Sequence, residues 1–174
     1  VSTEDFIKEG KIPKDLVYPC IVKPIVSAIG SKEHIIICND KDELVSTIGK
    51  LNLIYPTIIV QEFIKKDMEL GIVGCVLKNK QLIIPGVIKK YREYPLHTGS
   101  TSFGLIDTFN ESGINYENIE SFFIQTGYCG LFDMEFLRKG HSVYFMEVNY
   151  RNGANGYVAT GAGVNLPYIW YCNC

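Results

Sequence analysis

The 174-residue sequence predicts an α+β fold in which antiparallel hairpins outnumber helices. Several apolar runs are rich in β-branched residues and are bounded by turn residues, as strands are. In the second half of the chain, polar turn sequences separate neighbouring runs and predict hairpins. Only a few segments space their apolar residues at the helical period.

The first part of the chain predicts two strands, a helix and a third strand. PCIVKP, residues 19–24, and HIIIC, residues 34–38, are short apolar runs on either side of a small-residue loop, so we expect a hairpin. Asp40, with Glu43 three positions later, is a capping-box arrangement that begins a helix. TIIVQEFI, residues 57–64, is a strand that ends at a charged turn.

The second part predicts two hairpins, a helix between them and a final helix. The first hairpin turns at Lys78-Asn79-Lys80 and leads to a Gly/Ser/Thr loop at residues 96–104. A helix is expected over residues 114–127, where the apolar spacing is helical. The second hairpin covers residues 130–149, and an apolar helix begins near residue 162.

Composition argues against several classes of protein. The net charge is −2 and no basic tract interleaves with aromatic residues, so we expect no nucleic-acid partner. No apolar run approaches the roughly 18–20 residues of a membrane span, and no charged-then-apolar leader opens the chain. We therefore expect a cytoplasmic protein without membrane contact, in which the six cysteines are reduced. Because the chain begins with Val1 and ends within an apolar pattern, we interpret it as a piece of a longer protein.

Four oxygen-bearing side chains lie at alternate positions on the two arms of the second hairpin. Asp133 and Glu135 are on the incoming strand, and Glu147 and Asn149 are on the outgoing strand. Since alternate residues of a strand point to one face, three of these oxygens can converge across the hairpin. Magnesium prefers such a set of one or two carboxylates, an amide oxygen, and water or phosphate. A solvated sheet face is the alternative interpretation, and the pattern leaves the choice between Asp133 and Glu135 open.

Two stretches in the first part have a composition suited to a nucleotide. Lys23 ends a buried strand and precedes the loop Ser27-x-x-Gly30-Ser31-Lys32, whose small residues let backbone N–H groups approach an anion. Further along, a strand end exposes the O atom of Glu62 and the N atom of Ile64, which can read an adenine edge. Glu69 follows, where it can accept ribose hydroxyls. A snorkelling lysine and an ordinary charged turn are the alternative interpretations.

The order of these motifs resembles the ATP-grasp superfamily, and in particular its carbamoyl phosphate synthase large-subunit-like branch. The resemblance covers the chain from about Tyr18 to Pro167. GLFDMEFL (130–137), followed by YFMEVNYR (144–151), resembles the paired metal-ligand strands of that branch. LHTGSTSFG (96–104) resembles its I-H-T-G-D-S segment.

The resemblance implies two lobes with the nucleotide in the cleft between them. Residues 1–64 would form a small α/β lobe on the adenine and phosphate-loop side. Residues 65–174 would form a larger antiparallel-sheet lobe on the metal-phosphate side, truncated at its C-terminus. The upstream substrate domain of the superfamily is not expected within this chain.

The resemblance also implies a role for each matching residue. Lys23 would contact the nucleotide phosphates, and His97 would lie near them. Arg151 would face the γ-phosphate or the acyl phosphate formed from it. Glu135 is preferred over Asp133 as a ligand, because its distance from E-V-N matches the synthase-like spacing. The implied binding residues are the phosphate loop Gly30, Ser31 and Lys32, the adenine hinge Gln61, Glu62, Phe63 and Ile64 with Glu69 on the ribose, and the magnesium ligands Glu135, Glu147 and Asn149.

The activity that the resemblance implies is that of an ATP- and Mg²⁺-dependent carboxylate–amine (or carboxylate–thiol) ligase. It would work through an acyl phosphate on small-molecule carboxylate and amine substrates, with Mn²⁺ as an alternative metal. A non-catalytic, ATP-binding regulatory module of the same fold is the alternative. Tyr150 stands where the synthase has proline, and the second arginine of the synthase motif is missing, so carbamoyl phosphate synthesis itself is not expected. One of Lys89, Lys90 and Arg92 would meet the substrate carboxylate, a solvated strand being the alternative.

Overall fold

The computed structural model describes residues 12, 15–25, 34–94 and 100–173. The chain divides into two compact units, residues 1–64 and residues 65–174. Within the described residues every strand pairing is antiparallel, so the predicted α+β architecture is confirmed. In the same part of the chain, no helix has the length and apolarity that a membrane crossing requires.

The first unit is a three-stranded sheet covered by one helix. Its strand order is β2-β1-β3, with β1 at Cys20–Pro24, β2 at Ile36–Cys38 and β3 at Ile58–Glu62. The helix α1 (Lys41–Leu51) follows β2. Leu44 and Ile48 of α1 pack against Cys20 and Val22 of β1, and all four side chains are buried. This unit therefore has a core of its own.

The start of α1 is fixed by its N-cap residue, Asp40. The Asp40 carboxylate accepts hydrogen bonds from the backbone N–H groups of Asp42 and Glu43, both at 2.9 Å. The Glu43 carboxylate accepts a hydrogen bond from the backbone N–H of Asn39 at 2.7 Å. Asp40 thereby satisfies two N–H groups that the first helical turn cannot pair internally, so the predicted N-cap is confirmed.

The second unit is built on an antiparallel sheet of six strands. The strand order is β7-β6-β4-β8-β9, and β5 pairs with the end of β4. The strands are β4 (Met68–Val76), β5 (Leu82–Ile83), β6 (Val87–Tyr94), β7 (Ser100–Asp107), β8 (Gly130–Lys139) and β9 (Ser142–Asn149). The helices are α2 (Tyr116–Thr126), α3 (Gly156–Gly161) and α4 (Leu166–Cys172).

The two faces of this sheet are covered differently. Leu70 and Met134 point to the face on which α2 packs through Phe123, which we call the α2 face. On the opposite face, apolar residues around Val73 pack with α3 and α4. Farther along β4 and β8, that same face carries charged residues, including Glu135. We call this charged part the carboxylate face.

The structure departs from the predicted elements in two places. Residues 100–104 were expected in a loop, but they form the start of β7 because they pair with β6. The six-residue helix α3 was not expected, because it is too short to show a helical apolar period. The described cysteines form no disulfide; Cys20, Cys38 and Cys75 are buried, and Cys129 and Cys172 are exposed.

Candidate active site

The carboxylate face of the β8–β9 hairpin brings together the four oxygen-bearing residues that the sequence singled out. Asp133 lies directly opposite Asn149, and Glu135 lies directly opposite Glu147. Directly opposed residues of an antiparallel pair project to the same face. The hairpin therefore arranges three carboxylates and one amide in two adjacent rows.

A bulge in β9 makes this arrangement possible. Glu135 pairs with Glu147, but the next residue, Phe136, pairs with Phe145, so Met146 is an extra residue in β9. In a regular strand, residues 145 and 147 would point to the same face. The extra residue lets Phe145 contact Phe136 on the α2 face, at 5.8 Å between ring centroids, while Glu147 remains on the carboxylate face.

A line of hydrogen bonds links Arg151 to this hairpin. The Nη2 group of Arg151 donates to Oδ1 of Asn149 at 3.2 Å, and Nδ2 of Asn149 donates to Oε1 of Glu147 at 3.1 Å. The Nη1 group of Arg151 reaches the carbonyl oxygen of Asn152 at 3.5 Å. The arginine is therefore held beside the acidic rows while its side chain stays exposed.

Asp133 differs from the other three residues because it is buried, with 4% of its surface exposed. Its Oδ1 atom has no hydrogen-bond partner among the described residues. Gly153 lies over its other oxygen, Oδ2. Burial, reinforced by the nearby Glu135 carboxylate, raises the pKa of Asp133 to about 6. Asp133 therefore belongs to the buried floor of the site.

Lysine side chains hold the carboxylates on the neighbouring strands. Lys90 of β6 forms ion pairs with Glu69 of β4 and with Glu135 of β8, the latter at 3.1 Å. Lys66 forms ion pairs with Glu69 at 2.7 Å and with Glu93 at 2.9 Å. Burial alone raises the pKa of Glu69, but Lys66 and Lys90 outweigh it and hold this pKa below its ordinary value. Burial also lowers the pKa of Lys90, but Glu135 and Glu69 outweigh it and raise this pKa.

The donor set fits magnesium, which prefers hard oxygen ligands. Glu135 and Glu147 supply carboxylates, and Asn149 supplies an amide oxygen. Among the described residues, no three His, Cys, Asp or Glu side chains gather closely enough to enclose a metal ion. A site of two carboxylates and one amide leaves its remaining positions to water and phosphate oxygens, as magnesium sites commonly do.

Of the predicted nucleotide residues in the described part of the first unit, Lys23 lies on β1, Gln61 and Glu62 end β3, and Phe63 and Ile64 follow it. Lys23 of β1 pairs with Ile59, and Gln61 pairs with Ile21, so Lys23 and Gln61 share one face of that sheet. The backbone N–H of Phe63 donates to the carbonyl oxygen of Pro19 at 2.9 Å. Since alternate peptide groups of a strand point in opposite directions, that of Glu62 points away from β1, towards the outer side of the described sheet.

The other predicted site residues have distinct surroundings. Arg92 is exposed on β6, and its guanidinium carbon lies 5.8 Å from the centre of the Phe103 ring. The side chain of Lys90 is only 6% exposed. The predicted residues Gly30, Ser31, Lys32 and His97 lie outside the described part of the chain.

Two contributors were missed by sequence reasoning. Lys66 was included only as part of a charged turn, and its position next to Glu69 was the available signal. Gly153 follows Arg151-Asn152, and a glycine so soon after the E-V-N-x-R motif was the signal of a close backbone approach.

The chain has the ATP-grasp fold. Among solved structures, the chain is similar to biotin carboxylase from Campylobacter jejuni in a β,γ-ATP complex, with a TM-score of 0.76 and 16% identity over 92% of this chain and 37% of the other. It is similar to the L-amino acid ligase from Bacillus licheniformis, with a TM-score of 0.65 and 18% identity over 92% of this chain and 40% of the other.

The sequence gives the family. Residues 1–167 match the sequence model of the RimK-like ATP-grasp domain, and the chain belongs to this family. It is also 29% identical over 163 residues to a formate-dependent phosphoribosylglycinamide formyltransferase from Sulfurisphaera tokodaii, covering 85% of this chain and 39% of that protein. The chain thus spans about two-fifths of the length of these relatives. The predicted membership of the ATP-grasp superfamily is confirmed.

Proposed function

We propose that this chain is the ATP-grasp domain of an ATP- and Mg²⁺-dependent carboxylate–amine ligase that works through an acyl phosphate. The observation that carries the proposal is the β8–β9 hairpin, in which Glu135 faces Glu147 and Asn149 hydrogen-bonds both Glu147 and Arg151. Oxygen ligands beside a held arginine suit the transfer of a phosphoryl group, which requires positioning and charge neutralisation.

Glu135, Glu147 and Asn149 would hold the magnesium ion. When bound, the ion supplies positive charge to the β- and γ-phosphates. Glu135 is better placed than Asp133, because 22% of the Glu135 side chain is exposed and Asp133 lies beneath Gly153. Asp133 would support the floor of the site.

The chain offers cations for the phosphates and a strand edge for the base. Arg151 would face the γ-phosphate, and its hydrogen bond to Asn149 would fix its direction. Lys23 would contact the nucleotide phosphates. The peptide groups of Glu62 and Ile64 would bind the adenine edge, because β3 is the outermost strand of its described sheet and these groups lie at its end.

Glu69 would accept the ribose hydroxyls. Its carboxylate is already held by Lys66 and Lys90, but an ionised carboxylate has about four acceptor sites, so hydroxyl groups can still bind. Lys66 and Lys90 would then orient the Glu69 carboxylate, so that its remaining acceptor sites point to the ribose.

We assign the contact with the substrate carboxylate to Arg92 rather than to Lys90. Lys90 has two carboxylate partners and is nearly buried. Arg92 is exposed and rests against Phe103, which leaves N–H donors in the fork geometry that matches a carboxylate.

The proposed chemistry has two steps. First, an oxygen of the substrate carboxylate attacks the γ-phosphorus. The bond between the γ-phosphorus and the oxygen that bridges it to the β-phosphate breaks, so that ADP is released and an acyl phosphate is formed. An amine then attacks the acyl carbon, inorganic phosphate leaves, and the amine proton passes to phosphate or solvent. No side chain of the protein acts as a nucleophile in either step.

Thermal unfolding with and without Mg-ATP tests the site. Ligand at about 100 times its dissociation constant adds roughly 2.7 kcal/mol to the free energy of unfolding. We expect a magnesium-dependent rise in the unfolding temperature that is lost in Glu147→Gln and kept in Glu120→Gln, an exposed control on α2. A rise of equal size in Glu147→Gln overturns the metal assignment.

Isotope transfer tests the acyl phosphate. A carboxylate labelled with ¹⁸O that supports ATP turnover must deliver one labelled oxygen to inorganic phosphate. Unlabelled phosphate would exclude this intermediate. Binding of Mg-ATP without turnover on any mixture of amino acids and amines would favour the regulatory module instead.

A further inference from the structure

Five charged side chains form an unbroken line of ion pairs across the second unit. In spatial order they are Glu93, Lys66, Glu69, Lys90 and Glu135, so that negative and positive charges alternate. The line begins on β6, passes through Lys66 to β4, returns to β6 at Lys90 and ends on β8, at one of the proposed magnesium ligands. Lys90 is the member that joins this line to the metal site.

The Lys90 side chain crosses β4 at Gly71. Lys90 pairs with Glu69 on β4, and Glu135 pairs with Gly71 on the same strand. A Cβ atom at residue 71 would stand 3.5 Å from Cε of Lys90, so the lysine side chain lies directly over Gly71. The ammonium group reaches past β4 to the Glu135 carboxylate at 3.1 Å.

This contact changes the charge that a metal ion would meet. Glu135 and Glu147 are directly opposed, and two like charges at such a position repel each other. Lys90 neutralises one of them while remaining only 6% exposed. A bare divalent cation binding Glu135 would therefore have to displace, or lie beside, an ammonium group that solvent screens poorly.

The net charge in the site is different when the metal ion binds together with nucleotide phosphates. The phosphates bring negative charge, which can neutralise Lys90 when the metal takes over Glu135. A bare cation brings no such anion, so two positive charges would share the site.

We propose that Lys90 is a positioning residue that acts as a built-in counter-cation to Glu135 and excludes free divalent metal from this site, so that the site accepts the ion as a metal–nucleotide complex. This inference rests on the proposed function. It concerns the order of binding and adds a role for Lys90 that does not require contact with the substrate.

Binding of Mn²⁺ alone, measured by the electron paramagnetic resonance signal of the free ion, tests the inference without any turnover. A cation within about 4–6 Å lowers the affinity of a carboxylate for a proton by about tenfold or more. We expect the cation to lower the affinity of the carboxylate for a metal ion by a similar factor. Wild type should bind Mn²⁺ weakly, and Lys90→Met should bind it about tenfold more tightly. Lys90→Arg should restore the weak binding. If Lys90 only held Glu135 in place, its removal would instead weaken the binding of Mn²⁺.

A matched control comes from the same line of charges. Lys66→Met removes the other lysine, which contacts Glu69 and Glu93 but not Glu135, so its Mn²⁺ affinity should equal that of wild type. The gain in Lys90→Met should disappear in the Lys90→Met/Glu147→Gln double variant. Lys90→Gln, which keeps hydrogen-bonding capacity without charge, should show the same gain and replaces Lys90→Met if that variant fails to fold.

Three results would overturn the inference: unchanged or weaker Mn²⁺ binding in both uncharged variants, an equal gain in Lys66→Met, or a gain that survives Glu147→Gln. The proposed function is judged separately, by the effect of Glu147→Gln on Mg-ATP stabilisation in a protein with Lys90 intact. If that effect is seen and the Mn²⁺ affinity does not change, only the inference about Lys90 fails.

Discussion

Gly153 lies so close to Asp133 that a Cβ atom at residue 153 would stand 1.8 Å from the Oδ2 atom of the carboxylate. No side-chain carbon tolerates such an approach, so the turn after Arg151 and the buried acid can occupy their positions only with glycine here. The hairpin and the turn that follows it therefore form one packed unit.

Gly153→Ala should lower the free energy of unfolding of the second unit by about 1–3 kcal/mol, because Asp133 or the turn must move. Urea unfolding followed by the fluorescence of Trp170, the single tryptophan, measures this unit. Gly161→Ala is the control, since a Cβ there meets no atom within 4 Å, and its change should stay within about 0.5 kcal/mol. Equal losses in both variants would contradict the argument.

Glu135→Gln and Asp133→Asn should separate a metal ligand from a supporting residue. Glu135→Gln should remove the magnesium-dependent part of the stabilisation by ATP, because a proposed ligand loses its charge. Asp133→Asn should keep the magnesium dependence and should not lower the unfolding temperature at neutral pH, because burial raises the pKa of Asp133 to about 6 and the neutral amide removes the cost of a buried charge. Unfolding temperatures over a magnesium titration at fixed ATP measure both effects. The reverse pattern would make Asp133 the ligand.

Glu69→Gln should destabilise the second unit at neutral pH and have little effect in acid. The pKa of Glu69 is held below its ordinary value in the folded state by Lys66 and Lys90, so its ion pairs stabilise the fold fully at pH values above that ordinary value. That contribution is lost as the pH falls through the lowered pKa. At pH 7 we expect a loss of about 1–3 kcal/mol, since Lys90 and Lys66 each keep a second carboxylate. Urea unfolding of both proteins between pH 7 and pH 3 measures the difference, and a difference that does not shrink in acid would refute the ion-pair explanation.

Asp40→Ala should destabilise α1 by about 1 kcal/mol, because two N–H groups of the first turn lose their acceptor. Amide hydrogen exchange of residues in α1 measures this local loss. Asp42→Ala is the control, because Asp42 lies in the same turn but is not the cap. Similar protection in wild type and Asp40→Ala would show that packing alone holds the helix end.

Local patterns were sufficient to predict the parts of the site that depend on one hairpin. Glu147 and Asn149 alternate along β9, and a polar turn separates β9 from β8, so their convergence with Glu135 follows from the twofold period of strands. The Asp40 cap was equally local, because a capping box lies within four consecutive residues.

Contacts between distant strands could not be predicted in this way. The ion pair between Lys90 and Glu135 depends on the register of β6, β4 and β8, which places both side chains beside Gly71. From the sequence, Lys90 was expected to contact either the substrate or solvent, because its neighbours in the chain do not indicate which carboxylates it pairs with. The contact of Gly153 with Asp133 is also tertiary, and a lone glycine in a loop has many ordinary explanations.

The extra residue Met146 has a consequence for how the gene can change. Substituting Met146 alters one exposed side chain. An in-frame deletion of its codon makes Phe145 and Glu147 neighbours, and neighbouring residues of a regular strand point to opposite faces, as these two already do. The deletion therefore keeps both the aromatic contact with Phe136 and the proposed metal ligand. Among descendants of this sequence, we expect residue 146 to change in identity and also to be lost, while Phe145 and Glu147 stay on opposite faces.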